Sequence, residues 1–148
     1  MTPDSIFPIV NAIALLSWLA LIARPRHPLV RQWTSLGAPL LFAVVYVAII
    51  VARMGRARGD FSSLAGVATL FRDEWILLAG WVHYLAFDLL IGAWEVRDAE
   101  LRGLPQWRVA PCLVLTFLFG PAGWLLYLLA RSVSRPSGNQ SPAVPLTP

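Results

Sequence analysis

WILLAGWVHYLAFDLLIGAW, Trp75 to Trp94, decides how the chain is read. At 1.5 Å per residue, about twenty apolar residues match a hydrocarbon core of about 30 Å. The apolar character breaks only at His83, Tyr84 and Asp88. A charged group at the bilayer centre costs at least about 2.5 kcal/mol, so an ionisable residue inside such a run marks a functional position.

Composition agrees with a membrane setting. The chain is 57% hydrophobic and only 14% charged, with a mean hydropathy of +0.65, too apolar for an ordinary soluble domain. All twelve basic residues are arginines, and they fall in the connecting segments, as headgroup anchors do. Nucleic-acid binding is therefore not expected. A single cysteine, Cys112, excludes an internal disulfide and a cysteine-based zinc site, and two histidines offer little to a metal or a haem. No metal and no cofactor are expected.

Three further apolar runs flank the central one. Ile6–Ala23 reads as a retained span, with Asn11 and Ser17 placed to hydrogen-bond a neighbouring helix. Pro25 and Pro28 stop it. A second span runs from about Trp33 to Ala52. Between Arg53 and Trp75, the i, i+3, i+4, i+7 spacing of Leu64, Val67, Ala68 and Phe71 predicts a short surface helix, capped by Asp60 or Ser62. The third span continues past Trp94 to Arg102, with Asp98 and Arg102 paired at i, i+4, Gly103 as cap and Pro105 beyond. The fourth covers Val109–Ala130. The expectation is an all-α membrane protein: four transmembrane helices and an interfacial helix in one domain, residues 1–131, then a disordered tail, 132–148. Six arginines fall on each side of such a bundle, so charge leaves the orientation undecided. The first helix alone favours both termini outside.

His83 and Asp88 point about 140° apart on a helix. Two stripes follow: Trp81, Tyr84, Asp88, Gly92 and Glu95 on one side, and His83, Phe87, Leu90 and Trp94 on another. On the fourth segment Cys112, Thr116, Gly120 and Gly123 form a small-residue ridge, extended at Tyr127. An antiparallel fold-back about Arg102 puts Thr116 level with Asp88, and His83 level with Gly120-Pro121. Pro121 frees the Phe117 carbonyl, which needs a donor in lipid. Either a small polar pocket results, or Asp88 pins two helices together. Glu95, Asp98 and Glu100 read as a solvated helix end, and Cys112 as a packing residue.

The stretch WVHYLAFDLLIGAWEVRDAELRGLPQWRVAPCLVLTFLFGPAGWLLYLLAR, with FSSLAGVATLF before it, resembles the family of the plant abscisic-acid-deficient-four protein, also called neoxanthin synthase-like. The WxH…DL core, Asp98 and the GP pair of the last helix carry the likeness. It implies a cofactor-free isomerase or binder of a carotenoid or other isoprenoid lipid. In that reading Asp88 is the acid and His83 the base, while Trp81, Tyr84, Thr116 and Tyr127 line the substrate, and Gly92, Gly120, Pro121 and Gly123 shape the packing. The alternatives are a non-catalytic scaffold binding itself or a membrane partner, and a short proton relay. The arginine-for-lysine usage is associated with a GC-rich genome, and the expected location is a bacterial cytoplasmic membrane.

Overall fold

The computed structural model describes residues 2–132, and the expected disordered tail lies outside them apart from Ser132. Every regular element among these residues is helical. Helix α1 spans Pro3–Ala23, α2 Pro28–Gln32 and α3 Ala38–Arg53, with a π-helical turn, Trp33–Gly37, between the last two. Then come α4 (Leu64–Leu70), α5 (Glu74–Leu101), α6 (Gln106–Phe119) and α7 (Pro121–Ser132). Three continuous helical stretches are long and apolar enough to cross a membrane: Pro3–Ala23, Pro28–Arg53 and Glu74–Leu101.

Local chemistry explains the boundaries. Pro39 lacks the N–H that would bond the Ser35 carbonyl, and the wide π turn just before it absorbs the misfit, the Ala38 amide bonding Trp33 instead. The Ser63 hydroxyl accepts the Gly66 amide and so caps α4, the task expected of Asp60 or Ser62. Asp60 instead fastens the loop before it, accepting from the amide and hydroxyl of Ser62 at 2.8 and 2.6 Å. Asp73 caps α5 through the amides of Trp75 and Ile76. At its other end Gly103 takes φ +68°, and the Leu104 amide bonds the Ala99 carbonyl at 2.8 Å, a Schellman closure.

The core lies where α1, α3 and α6 converge on α5: Trp18, Leu21, Phe42, Val82, Leu89 and Leu113 are almost completely enclosed. Asn11 and Ser17 join α1 to its neighbours as expected. Asn11 Oδ1 accepts the Trp81 indole N–H at 3.1 Å, and Ser17 Oγ accepts that of Trp33 at 2.9 Å.

The segment expected as one fourth span, Val109–Ala130, is two helices. Gly120 separates them with φ +43°, ψ −98°, a conformation that residues with a Cβ rarely adopt. The chain reverses there. Helix α7 returns beside α6, so that the Tyr127 hydroxyl and the Arg131 guanidinium both reach Asp98 near the end of α5, at 2.7 and 3.2 Å. The close approach depends on Gly123, whose missing Cβ would fall on the Thr116 backbone. A proline at the first position of α7 leaves few donors at the bend, and glycine supplies its geometry.

Candidate functional site: the hairpin tip against α5

The α6–α7 hairpin lies along one stripe of α5. At the outer end Asp98 accepts from Arg102 Nε at 2.8 Å as well as from Tyr127 and Arg131. One turn inward Glu95 is completely buried, and Thr116 Oγ1 donates to its Oε1 at 3.0 Å. Gly92 follows, packed against Trp18 and Leu21 of α1. At the hairpin tip Asp88 lies against Gly120, where an added Cβ would stand 2.9 Å from Asp88 Oδ1. Tyr84 comes next, its phenol beside the Asp88 carboxyl. That hydroxyl donates to the Phe117 carbonyl at 3.3 Å, one of the carbonyls left without a helical partner where α6 ends at Phe119, so the end of the helix, and not Pro121 within a continuous one, frees it.

Two acceptors in this stripe are enclosed without a partner among the described residues, Asp88 Oδ2 and Glu95 Oε2. An unpartnered buried polar atom costs about 1–3 kcal/mol. The half-buried Asp88 is one turn from a groove of about 360 Å³ between α1, α5 and α6. Asn11, Trp81, Tyr84, Phe117 and Leu118 are among its walls. Trp81 and Tyr84 stand against one another in its wall at 5.4 Å, and Phe7 of α1 packs on Trp81 at 5.8 Å.

The expected site residues therefore divide. Trp81, Tyr84, Asp88, Thr116, Gly120 and Pro121 come together at or near the tip. His83 does not join them: it is exposed on the far side of α5, its ring in tilted contact with Tyr46 of α3 at 5.5 Å and with Phe87 at 4.6 Å. Among the described residues no element closes a pocket between it and Asp88: α3 packs on the His83 side of α5 and the hairpin on the Asp88 side. Tyr127 sits at the opposite end of the hairpin, edge-on to Trp94. The depth match is also displaced. Thr116 meets Glu95 and Gly120 meets Asp88, since α6 starts only at Gln106 and the turn centres on Leu104-Pro105 instead of Arg102.

Glu95 is the residue that sequence reasoning misplaced. It stands in the charged run EVRDAE and so reads as solvated, yet it closes the Trp81–Glu95 stripe at the same helical spacing as Asp88. That stripe was the available signal. Glu100 and Asp98 are likewise paired, Glu100 Oε2 with Arg31 at 3.0 Å. Cys112 is buried, as a packing residue is.

Set beside known families, residues 5–127 match the family model described as ABA DEFICIENT 4-like. The match runs from the first turn of α1 to the middle of α7. No curated protein and no solved structure matches the chain.

Proposed function

This chain belongs to the ABA DEFICIENT 4-like family, and from that membership and the acids on α5 we propose that it is an integral membrane protein that binds, and isomerises without a cofactor, a long isoprenoid of the carotenoid class. Three helices cross the bilayer and the α6–α7 hairpin enters and leaves on one side. At 1.5 Å per residue, α6 is about 21 Å long, and with its first turn, Trp107-Arg108, among the headgroups it takes Gly120 to about the middle of the hydrocarbon core. Asp88, near the midpoint of α5, shares that depth, and α4 lies at the interface. A cytoplasmic membrane suits this topology.

The single observation that carries the reading is the Asp88 carboxyl at the hairpin tip, one turn from a groove lined by Trp81, Tyr84 and Phe117. Such groups inside a membrane are rare and belong to sites. For an epoxy-carotenoid turned into its allenic isomer, the chemistry needs one proton delivered to the epoxide oxygen, breaking its C–O bond, and one proton removed from the neighbouring polyene carbon to form the new double bond. A single carboxyl group can do both in turn: Asp88 gives its proton to the oxygen and the resulting carboxylate takes the proton from carbon. Tyr84 orients the oxygen. Trp81 and Phe117 hold the chain by apolar contact, and His83, on the other side of α5, takes no part.

The test is extraction of pigment and lipid from purified wild type, Asp88→Asn, Tyr84→Phe and His83→Ala. Wild type and His83→Ala are expected to carry the isoprenoid and turn it over. Asp88→Asn is expected to carry it unchanged. Loss of turnover in His83→Ala with Asp88→Asn still active would exchange the two roles and defeat this assignment.

A second reading rests on a separate observation. Glu95–Thr116 and Asp98 with Tyr127 and Arg131 are helix-joining hydrogen bonds of a kind that a scaffold also uses. A scaffold would tolerate Asp88→Asn and carry no isoprenoid.

A further inference from the structure

A second polar concavity lies at the other end of α5 from the aromatic groove, where three helix ends meet. Leu21 of α1, Arg31 of α2, Thr34 and Ser35 of the π turn, and Ala93, Val96 and Arg97 of α5 line a notch of about 190 Å³. Its floor is apolar, and its rim carries two guanidinium groups. The hydroxyl protons are already committed, Thr34 donating to the Val30 carbonyl at 2.8 Å and Ser35 to that of Arg31 at 2.6 Å. The free donors are therefore the arginines. Arg31 shares Nη1 with Glu100, and Arg97 has no carboxylate partner among the described residues. Two guanidinium charges against one carboxylate leave one positive charge on the notch.

The geometry points to a phosphate-recognition site at this notch, taking a singly charged phosphodiester between Arg31 and Arg97. Guanidinium forks bind phosphate oxygens in pairs, and basic pockets between membrane helices accept lipid headgroups. Arg31, near the start of its span, and Arg97, near the end of its own, stand at one face of the bundle, where a headgroup would lie over the apolar residues Leu21, Ala93 and Val96. The same donors would accept a phosphate group on a small solute. The two sources are separated by experiment.

Wild type and Arg97→Gln are placed in phosphatidylcholine nanodiscs containing a minor fraction of phosphatidylglycerol, and lipid retained after extraction is counted by native mass spectrometry. Wild type is expected to hold one phosphatidylglycerol that Arg97→Gln holds about tenfold more weakly or worse, the loss of a charge-assisted hydrogen bond. Arg97→Lys should recover part of it. Because Arg97 pairs with no other side chain among the described residues, its loss should not disturb folding. The double variant Arg31→Gln/Glu100→Gln removes the second donor without stranding Glu100 and should also weaken retention. In the second arm, inorganic phosphate is added to lipid-free protein in detergent. A rise in melting temperature that depends on Arg97 assigns the notch to a phosphate-bearing solute. Equal phosphatidylglycerol retention by wild type and Arg97→Gln, with no phosphate-dependent shift in either, overturns the site.

Discussion

Glu95 and Asp88 hang from one face of α5, seven residues apart, and their surroundings differ in a way that separates their roles. Glu95 is enclosed, with Thr116 on one oxygen; Asp88 is half-buried, one turn from a groove. Thr116→Val keeps the shape of the side chain and strands both oxygens of Glu95. It is expected to cost about 1–3 kcal/mol in thermal unfolding in detergent, while Glu95→Gln, which still accepts from Thr116, costs less. A silent Thr116→Val beside a costly Glu95→Gln would mean that the carboxyl of Glu95, and not its hydrogen bond, is what the hairpin needs. Outside the spans, the Ser62 hydroxyl and amide hold the Asp60 carboxyl below its ordinary value of 3.8. Its folded pKa is the depressed one, so the tie contributes fully above the unfolded pKa and is lost as pH falls through the folded pKa. A carbon-detected titration should place Asp60 below 3.8, and Ser62→Ala should move it back up. Sequence spacing was enough to place Asp88, Tyr84 and Trp81 on one stripe. It could not place Glu95, because a helix end rich in charges reads as solvated until the element that covers it is known.

At the scale of elements, the three long helices follow from hydropathy and proline positions alone, since a bilayer demands about twenty apolar residues and prolines break what lies between. The reversal at Gly120 does not follow. An apolar run of 22 residues interrupted by GP fits a kinked span as well as a hairpin, and only the return of Arg131 to Asp98 decides between them. Two glycines make the reversal possible for different reasons. Gly120 adopts φ +43°, so Gly120→Ala is expected to cost about 1–2 kcal/mol from backbone conformation alone, with Asp88 crowded in addition. Gly123→Ala sets a methyl on the Thr116 backbone, which cannot move as a side chain can, and should cost about 1–3 kcal/mol or more by prising the hairpin apart. Gly55→Ala, with nothing within 4 Å of the new carbon, serves as control and should leave the melting temperature unchanged. A melting temperature unaffected by Gly123→Ala would mean that α6 and α7 do not close on one another.

For the whole molecule, the hairpin changes the charge balance across the bilayer. Four continuous spans would divide the arginines six against six. With α7 folded back, Arg131 joins Arg24, Arg26, Arg31, Arg97, Arg102 and Arg108 on one face, seven in all, leaving Arg53, Arg56, Arg58 and Arg72 on the other; Arg135 lies outside the described residues. Arginine excess near span ends faces the cytoplasm, so the start of α1 and the α3–α5 connection are expected outside and the end of α7 inside. The prediction can be checked by single cysteines in a Cys112→Ala background, labelled in intact cells with a membrane-impermeant maleimide. Ser5→Cys and Arg58→Cys should label without permeabilisation, and Arg26→Cys and Ser132→Cys only after it. A bundle of four full spans would put Ser132 on the side of Ser5, so the pairing of those two positions tests the hairpin independently of which face is cytoplasmic. Where the labels agree with the hairpin, the end of α7 shares a face with the Arg31–Arg97 notch, and the aromatic groove opens toward the lipid at the level of its tip. A substrate would then reach Asp88 sideways from the bilayer, needing no path through water, as suits a ligand that is insoluble in it.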